Sequence, residues 1–252
     1  MSLSIQPIAM PQALSYRDWI PEPQALGDVV DLGRIEEPNL ELLQELQPDL
    51  ILTSPGQAGL APLLERISPI LTLAIYSGNG RPYSSAFTET ARLADVLRAQ
   101  ENWRYFQDDV LRTVERARQL LSTTWSRPIY LISFVDDRHI AVYGRGSLFN
   151  EVMETIGLEN AWRRPTNVWG FSTVGIEELA EDAHAALIHV GPGPTDPAQR
   201  VDLNPLWLHL PFVRAGRVIG LPQIWYFGAL AAAARFAASL TDGLLAAGPL
   251  HD

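Results

Sequence analysis

The 252-residue chain contains no cysteine. That absence excludes disulfides, thiolate metal sites and a cysteine nucleophile, although it does not identify a compartment. Cationic charge is also scarce: 19 Lys and Arg stand against 29 Asp and Glu, for a formal net charge of -10. Phosphate binding needs clustered Lys and Arg, so nucleic acid is not an expected partner. No segment reaches the roughly 18 consecutive apolar residues of a membrane span. The most apolar stretch, Phe227 to Leu245, is broken by Arg235, Asp242 and two glycines. It reads as a docked amphipathic helix, and the chain is not expected to span a membrane. The start Met1-Ser2-Leu3-Ser4 has neither a basic n-region nor a long apolar h-region, so no signal peptide is visible.

Signatures of catalysis are missing too. The five histidines, His139, His184, His189, His209 and His251, form no recognised metal spacing. His184 and His189 lie five apart on or beside a strand, so their side chains should face opposite sides; structural or surface roles are expected for all five. Gly144-Arg145-Gly146-Ser147 follows a strand and opens a helix. Without a third glycine or a Lys-Ser/Thr pair it matches neither nucleotide fingerprint, and it reads as a tight strand-to-helix turn. There is no Gly-x-Ser-x-Gly nucleophile elbow. No catalytic residue can be named, and the chain is not expected to be an enzyme.

What is present is the composition of a globular protein, 47% hydrophobic and 19% charged, with length enough for one large domain or two ordinary lobes. Pro38 opens a helix over 39–46, since a first-turn proline loses no helical hydrogen bond, and Pro48 closes it. Apolar runs at 50–52 and 70–76 flank a helix around 62–67, which predicts a βαβ unit with parallel strands. From Thr88 to Leu121 the pattern is helical: Trp103, Phe106, Val110, Val114, Ala117 and Leu121 form one apolar stripe. Strands are predicted at 128–134, 140–143, 185–190 and 217–221. Ser147 caps a helix that Gly157 ends, and a final helix covers about 228–245. The whole reads as α/β, helix, α/β: an N-terminal lobe at 1–100, a stiff helix at 101–121 and a C-terminal lobe at 122–252.

Tryptophan marks the candidate site. Trp169 and Trp225 sit in turn-rich segments, Asn167-Val168-Trp169-Gly170 and Pro222-Gln223-Ile224-Trp225-Tyr226-Phe227-Gly228. A Gly- or Pro-flanked loop tryptophan more often lines a surface or pocket than a core. Such loops on a rigid scaffold would suit a partly apolar organic ligand that stacks on rings.

Several segments are distinctive in combination: residues 37–43 (Glu-Pro-Asn-Leu-Glu-Leu-Leu), 146–149 (Gly-Ser-Leu-Phe), 160–162 (Asn-Ala-Trp), 167–170 (Asn-Val-Trp-Gly), 210–217 and 224–228 (Ile-Trp-Tyr-Phe-Gly). In sequence, order and spacing they resemble the periplasmic ferric-hydroxamate siderophore-binding proteins, the soluble receptors of ABC iron importers. The resemblance covers about residues 7–245. It implies two α/β lobes joined by one long rigid helix, a shallow cleft, a periplasmic location, and delivery of a ferric siderophore to an inner-membrane ABC permease. The family holds iron only through the chelator, so no cofactor and no protein metal ligand are implied.

The resemblance implies ligand contacts at Trp19, Leu148, Asn167, Trp169, Trp225, Tyr226 and Phe227. Arg34 stands one place before the family's hydroxamate-binding arginine, and Gln57 and Thr53 stand where the family has a tyrosine and a tryptophan. Arg34 and Gln57 are carried as candidates. Glu177, or its neighbour Glu178, and the displaced Glu65 would face arginines of the permease. Family members precede the segment aligned with residues 4–16 by a strand and a helix, which the N-terminal lobe is expected to lack. Rival expectations are a receptor of the same class for another iron chelate, haem or cobalamin, and a truncated interaction module.

Overall fold

The computed structural model describes residues 3–13, 16, 29–193, 196 and 201–248; Trp19 and His251 lie outside them. The chain is mixed α/β and divides into two compact units, one of residues 1–77 and 84–108, the other of 78–83 and 109–252.

In the first unit, β1 (Ala9–Met10) pairs parallel with β2 (Val30–Asp31), and β3 (Ile51–Thr53) pairs parallel with β4 (Ile70–Thr72). The expected strand–helix–strand unit is there, with a 3-10 turn Pro55–Leu60 leading into the helix Ala61–Leu64. Its second strand ends at Thr72, where the sequence predicted an extension to Tyr76. Buried Thr53 bonds the facing Thr72 through their hydroxyls at 2.9 Å, which satisfies two polar groups inside the pair. The helix Leu40–Glu45 begins where Asn39 Oδ1 accepts from the Leu42 amide at 2.9 Å. Leu32, Leu43 and Leu64 form the small core, with Ile51 and Ile70 packed on it.

The helical pattern at 88–121 resolves into two helices, Pro82–Val96 and Gln100–Leu121. Between them Arg98 takes φ 54°, a left-handed conformation that halts an α-helix without any proline or glycine. Gln100–Leu121 is continuous across the division between the units, and Trp103, Val110, Val114, Ala117 and Leu121 of its stripe are buried.

The second unit carries a five-stranded mixed sheet in the order β7-β6-β5-β8-β9. These strands are β5 (Ile129–Phe134), β6 (His139–Tyr143), β7 (Phe171–Gly175), β8 (Ala186–Val190) and β9 (Val218–Leu221). β6 is antiparallel to both β5 and β7, whereas β5, β8 and β9 run parallel. The predicted Asp-Asp turn joins β5 to β6, with Asp136 Oδ1 accepting from the amides of Arg138 and His139 at 2.8 and 2.7 Å. Ser147 Oγ accepts from the Asn150 amide at 3.0 Å to cap the helix Leu148–Ile156, and Gly157 ends it at φ 92°. Two further short helices, Pro205–His209 and Pro211–Arg214, precede β9.

By length and composition Ala229–Ala247 is apolar enough to cross a membrane, the one such helix among the described residues. Its Leu230, Ala233, Phe236, Ala237, Leu240 and Leu244 are buried, and Phe236 stacks on Phe149 with ring centroids 4.4 Å apart. It is therefore packed as a core helix, with its apolar stripe inward.

Residues 78–83 are held onto the second unit by a buried carboxylate: Glu151 accepts from the Tyr83 amide at 2.7 Å and meets Arg81 at 3.5 Å. Buried His189 on β8 lies against Phe134, 5.5 Å between ring centroids, and opposite Gly220, where a Cβ would come within 2.8 Å of its Nε2. Burial lowers the imidazole pKa, with the Gly191 backbone opposing. The unfolded chain therefore takes up a proton first as pH falls below about 6.5, and stability that is full above that pH is lost toward the folded pKa. Thermal melts at neutral and mildly acidic pH should show this fall, and His189→Gln should flatten it. A variant that keeps the full pH difference would assign the effect to other groups.

Candidate functional site

Tyr143 ends β6 and Phe171 begins β7, and the two residues are register partners. Two turns continue from them, 144–147 and 167–170. The Gly144 amide donates to the Gly170 carbonyl at 2.9 Å, and the Gly170 amide donates to the Asn167 carbonyl at 2.9 Å. Asn167 Oδ1 accepts from the amides of Trp169 at 2.9 Å and Phe171 at 3.2 Å. Its side-chain oxygen is thus spent on shaping the loop that carries Trp169. Gly170 has φ 82°, and a Cβ there would fall 1.9 Å from the Ser147 nitrogen, so only glycine lets the two turns meet.

From this frame rises a continuous series of rings. Trp169 stacks on Phe171 at 6.2 Å and 16°, and Phe171 meets Tyr226 edge-on at 5.6 Å. Tyr226 also packs on Tyr143 at 5.4 Å and on Phe227 at 4.0 Å, and Phe227 meets Trp225 edge-on at 6.0 Å. Both ends are open to solvent: Trp169 is 46% and Trp225 36% exposed. Edge-on and offset contacts of this kind add to the burial energy of the rings and hold their faces in place.

Burial first, and then the Tyr143 phenol, pushes the Tyr226 pKa well up, so its hydroxyl stays protonated and polar but uncharged. Burial raises Tyr143 as well, against the opposing effect of the Ser133 hydroxyl 3.1 Å away. Ser133 Oγ in turn donates to the Val190 carbonyl at 2.9 Å. The result is an apolar wall edged by two indoles, suited to stacking an organic ligand.

The structure brings together Asn167, Trp169, Trp225, Tyr226 and Phe227 in this wall. It also adds Phe171 and Tyr143, which the sequence reading missed. Phe171 couples Trp169 to Tyr226, and its visible signal was a Phe-Ser-Thr-Val run after a turn glycine, the mark of a half-buried strand. Leu148 is placed differently from these rings. It is fully buried as the first residue of its helix, and so has no surface to offer a ligand.

Each remaining candidate sits within its own unit. Arg34, in the first unit, is exposed and lies 3.7 Å from Glu36. Gln57 closes a capping box, its Oε1 accepting from the Ser54 amide at 2.9 Å and the Ser54 hydroxyl at 3.3 Å. Glu65 follows the helix Ala61–Leu64 and is exposed. In the second unit Glu178 pairs with Arg164 at 2.5 Å, whereas Glu177 is exposed and makes no ion pair among the described residues. Among those residues no group of three or more His, Asp or Glu is placed to hold a metal ion.

The profile of the periplasmic binding protein family matches residues 7–224. The iron(3+)-hydroxamate-binding protein FhuD of Escherichia coli is 31% identical over 247 residues, covering 97% of this chain and 82% of that protein. Among solved structures, the siderophore-binding protein FhuD of Vibrio cholerae, with Fe3+-Desferal bound, superposes with a TM-score of 0.91 at 26% identity. That match covers 98% of this chain and 94% of the other. A petrobactin-binding protein of Bacillus subtilis shares the fold, with a TM-score of 0.72 at 17% identity over 94% and 91% of the two chains. By sequence, and by the fold that carries its aromatic wall, the chain belongs to the periplasmic binding protein family.

Proposed function

We propose that this chain is a periplasmic substrate-binding protein that captures a ferric hydroxamate siderophore and hands it to an inner-membrane ABC permease, with no chemical step of its own. The observation that carries this reading is the series Trp169, Phe171, Tyr226, Phe227 and Trp225, standing in a chain 31% identical to an iron(3+)-hydroxamate-binding protein. A chelator that saturates its metal presents a partly apolar exterior, which aromatic faces grip by stacking. Iron enters as part of the ligand, so the protein needs neither a resident cofactor nor a ligating cluster. Glu177, free of ion pairs among the described residues, and the exposed Glu65 are the carboxylates offered to the permease.

A second reading keeps the class and changes the ligand to another iron chelate, haem or a cobalamin. It is favoured by the first unit, where Gln57 is engaged by Ser54 and Arg34 lies beside Glu36. Equilibrium dialysis against a ferric trihydroxamate, a ferric catecholate, haem and a cobalamin separates the two. Saturable binding of the trihydroxamate alone supports the first reading; binding of another ligand without it establishes the second. Glu177→Lys should leave that affinity unchanged while lowering uptake through the reconstituted importer, and unimpaired uptake would remove Glu177 from the docking surface.

A further inference from the structure

The turn 144–147 carries a charge that neither the motifs nor the aromatic wall accounts for. Arg145 lies between Gly144, whose amide is bonded to Gly170, and Gly146, where a Cβ would stand 3.7 Å from the Gly170 Cα. Its own carbonyl accepts from Thr166 Oγ1 at 2.6 Å. The backbone of Arg145 is therefore fixed from both sides beside the loop of Trp169. Its side chain is exposed and makes no ion pair among the described residues. Two arginines near this turn are already engaged, Arg81 by Glu151 and Arg164 by Glu178.

A chain with net charge -10 repels an anion at long range, and a guanidinium carried on the turn beside the Trp169 loop would offset that repulsion locally. Arginine matches carboxylate geometry and also lies flat on ring faces, so this position suits a ligand that pairs an apolar body with an anionic edge.

Resting on the receptor reading above, we infer that Arg145 is a specificity-determining residue that selects iron chelates carrying a peripheral carboxylate over neutral or cationic ones. The observation behind it is a guanidinium without an ion pair among the described residues, on a turn locked by Gly144, Gly146 and Gly170 against the aromatic wall.

Three ligands with one iron centre test this: ferrioxamine B with its terminal ammonium, its N-acetyl derivative, which lacks that charge, and its N-succinyl derivative, which replaces it with a carboxylate. The wild-type protein should bind them in the order succinyl, acetyl, ammonium, with the spread narrowing as salt screens the charge. Arg145→Ala should lower the succinyl affinity about tenfold, the scale of one charge-assisted hydrogen bond, and leave the acetyl affinity nearly unchanged. Arg145→Lys should restore much of the order. Equal effects on all three ligands, or no order in the wild type, would overturn the assignment while leaving the receptor reading intact. Failure of the folded wild-type protein to bind any of the three would overturn the receptor reading, and this inference with it.

Discussion

Gly170→Ala should destabilise the second unit by about 3 kcal/mol, the sum of forcing a side chain into a left-handed conformation and of overpacking a filled space. The native φ is 82°, and the added methyl would sit 1.9 Å from the Ser147 nitrogen and 2.2 Å from the Gly146 carbonyl carbon. Both neighbours are backbone, and neither can rotate away. Gly216→Ala isolates the two contributions, because Gly216 has φ 67° with nothing within 4 Å of the new methyl. It should cost only about 1 kcal/mol, from backbone strain alone. Urea unfolding followed by circular dichroism measures both variants. Relief by separating the turns would move Trp169 away from Phe171, so Gly170→Ala should also weaken ligand binding. Equal midpoints for the two variants would mean that the two turns do not pack as described.

Trp169→Ala and Trp225→Ala should each weaken binding of a ferric trihydroxamate about thirtyfold, in line with roughly 2 kcal/mol for an aromatic anchor. These indoles are the two open ends of the wall, at 46% and 36% exposed, so their removal should affect folding far less than binding. Phenylalanine at either position should recover part of the loss by keeping a ring face. The double variant need not add up, because both rings would contact one ligand. Competition binding on samples with matched melting curves reads the effect. Near wild-type affinity in both alanine variants would remove the wall from the site.

Where local chemistry decides structure, the chain was readable. Asn39 and Ser147 cap the helices that their positions suggest, Gly157 stops one, and the apolar runs at 129–134, 139–143, 186–190 and 218–221 are strands. What escaped was decided by tertiary contacts or by unmarked backbone states. β7 is held by its antiparallel pairing to β6, and its short half-buried run after Gly170 is only a weak local signal. The break between Val96 and Gln100 rests on Arg98 in a left-handed conformation, a place where glycine or asparagine would have been the signal.

The site shows the same division. Loop tryptophans flanked by glycine or proline pointed to a ligand surface, while the rings that connect them, Phe171 and Tyr143, lie at strand ends whose pairing is not visible locally. Leu148 was carried over by resemblance, and packing beneath the turn buries it. Gln57 had a legible local explanation in Ser54-Pro55-Gly56-Gln57, the spacing of a capping box.

The most direct test follows tryptophan emission while the folded protein is titrated with a ferric trihydroxamate and, separately, with the iron-free chelator. The expected result is saturable one-to-one quenching by the ferric complex, much weaker response to the free chelator, and loss of most of the quenching when Trp169 and Trp225 are both replaced by phenylalanine. A folded protein that shows no saturable quenching with any ferric hydroxamate would contradict the assignment of this wall as the siderophore site.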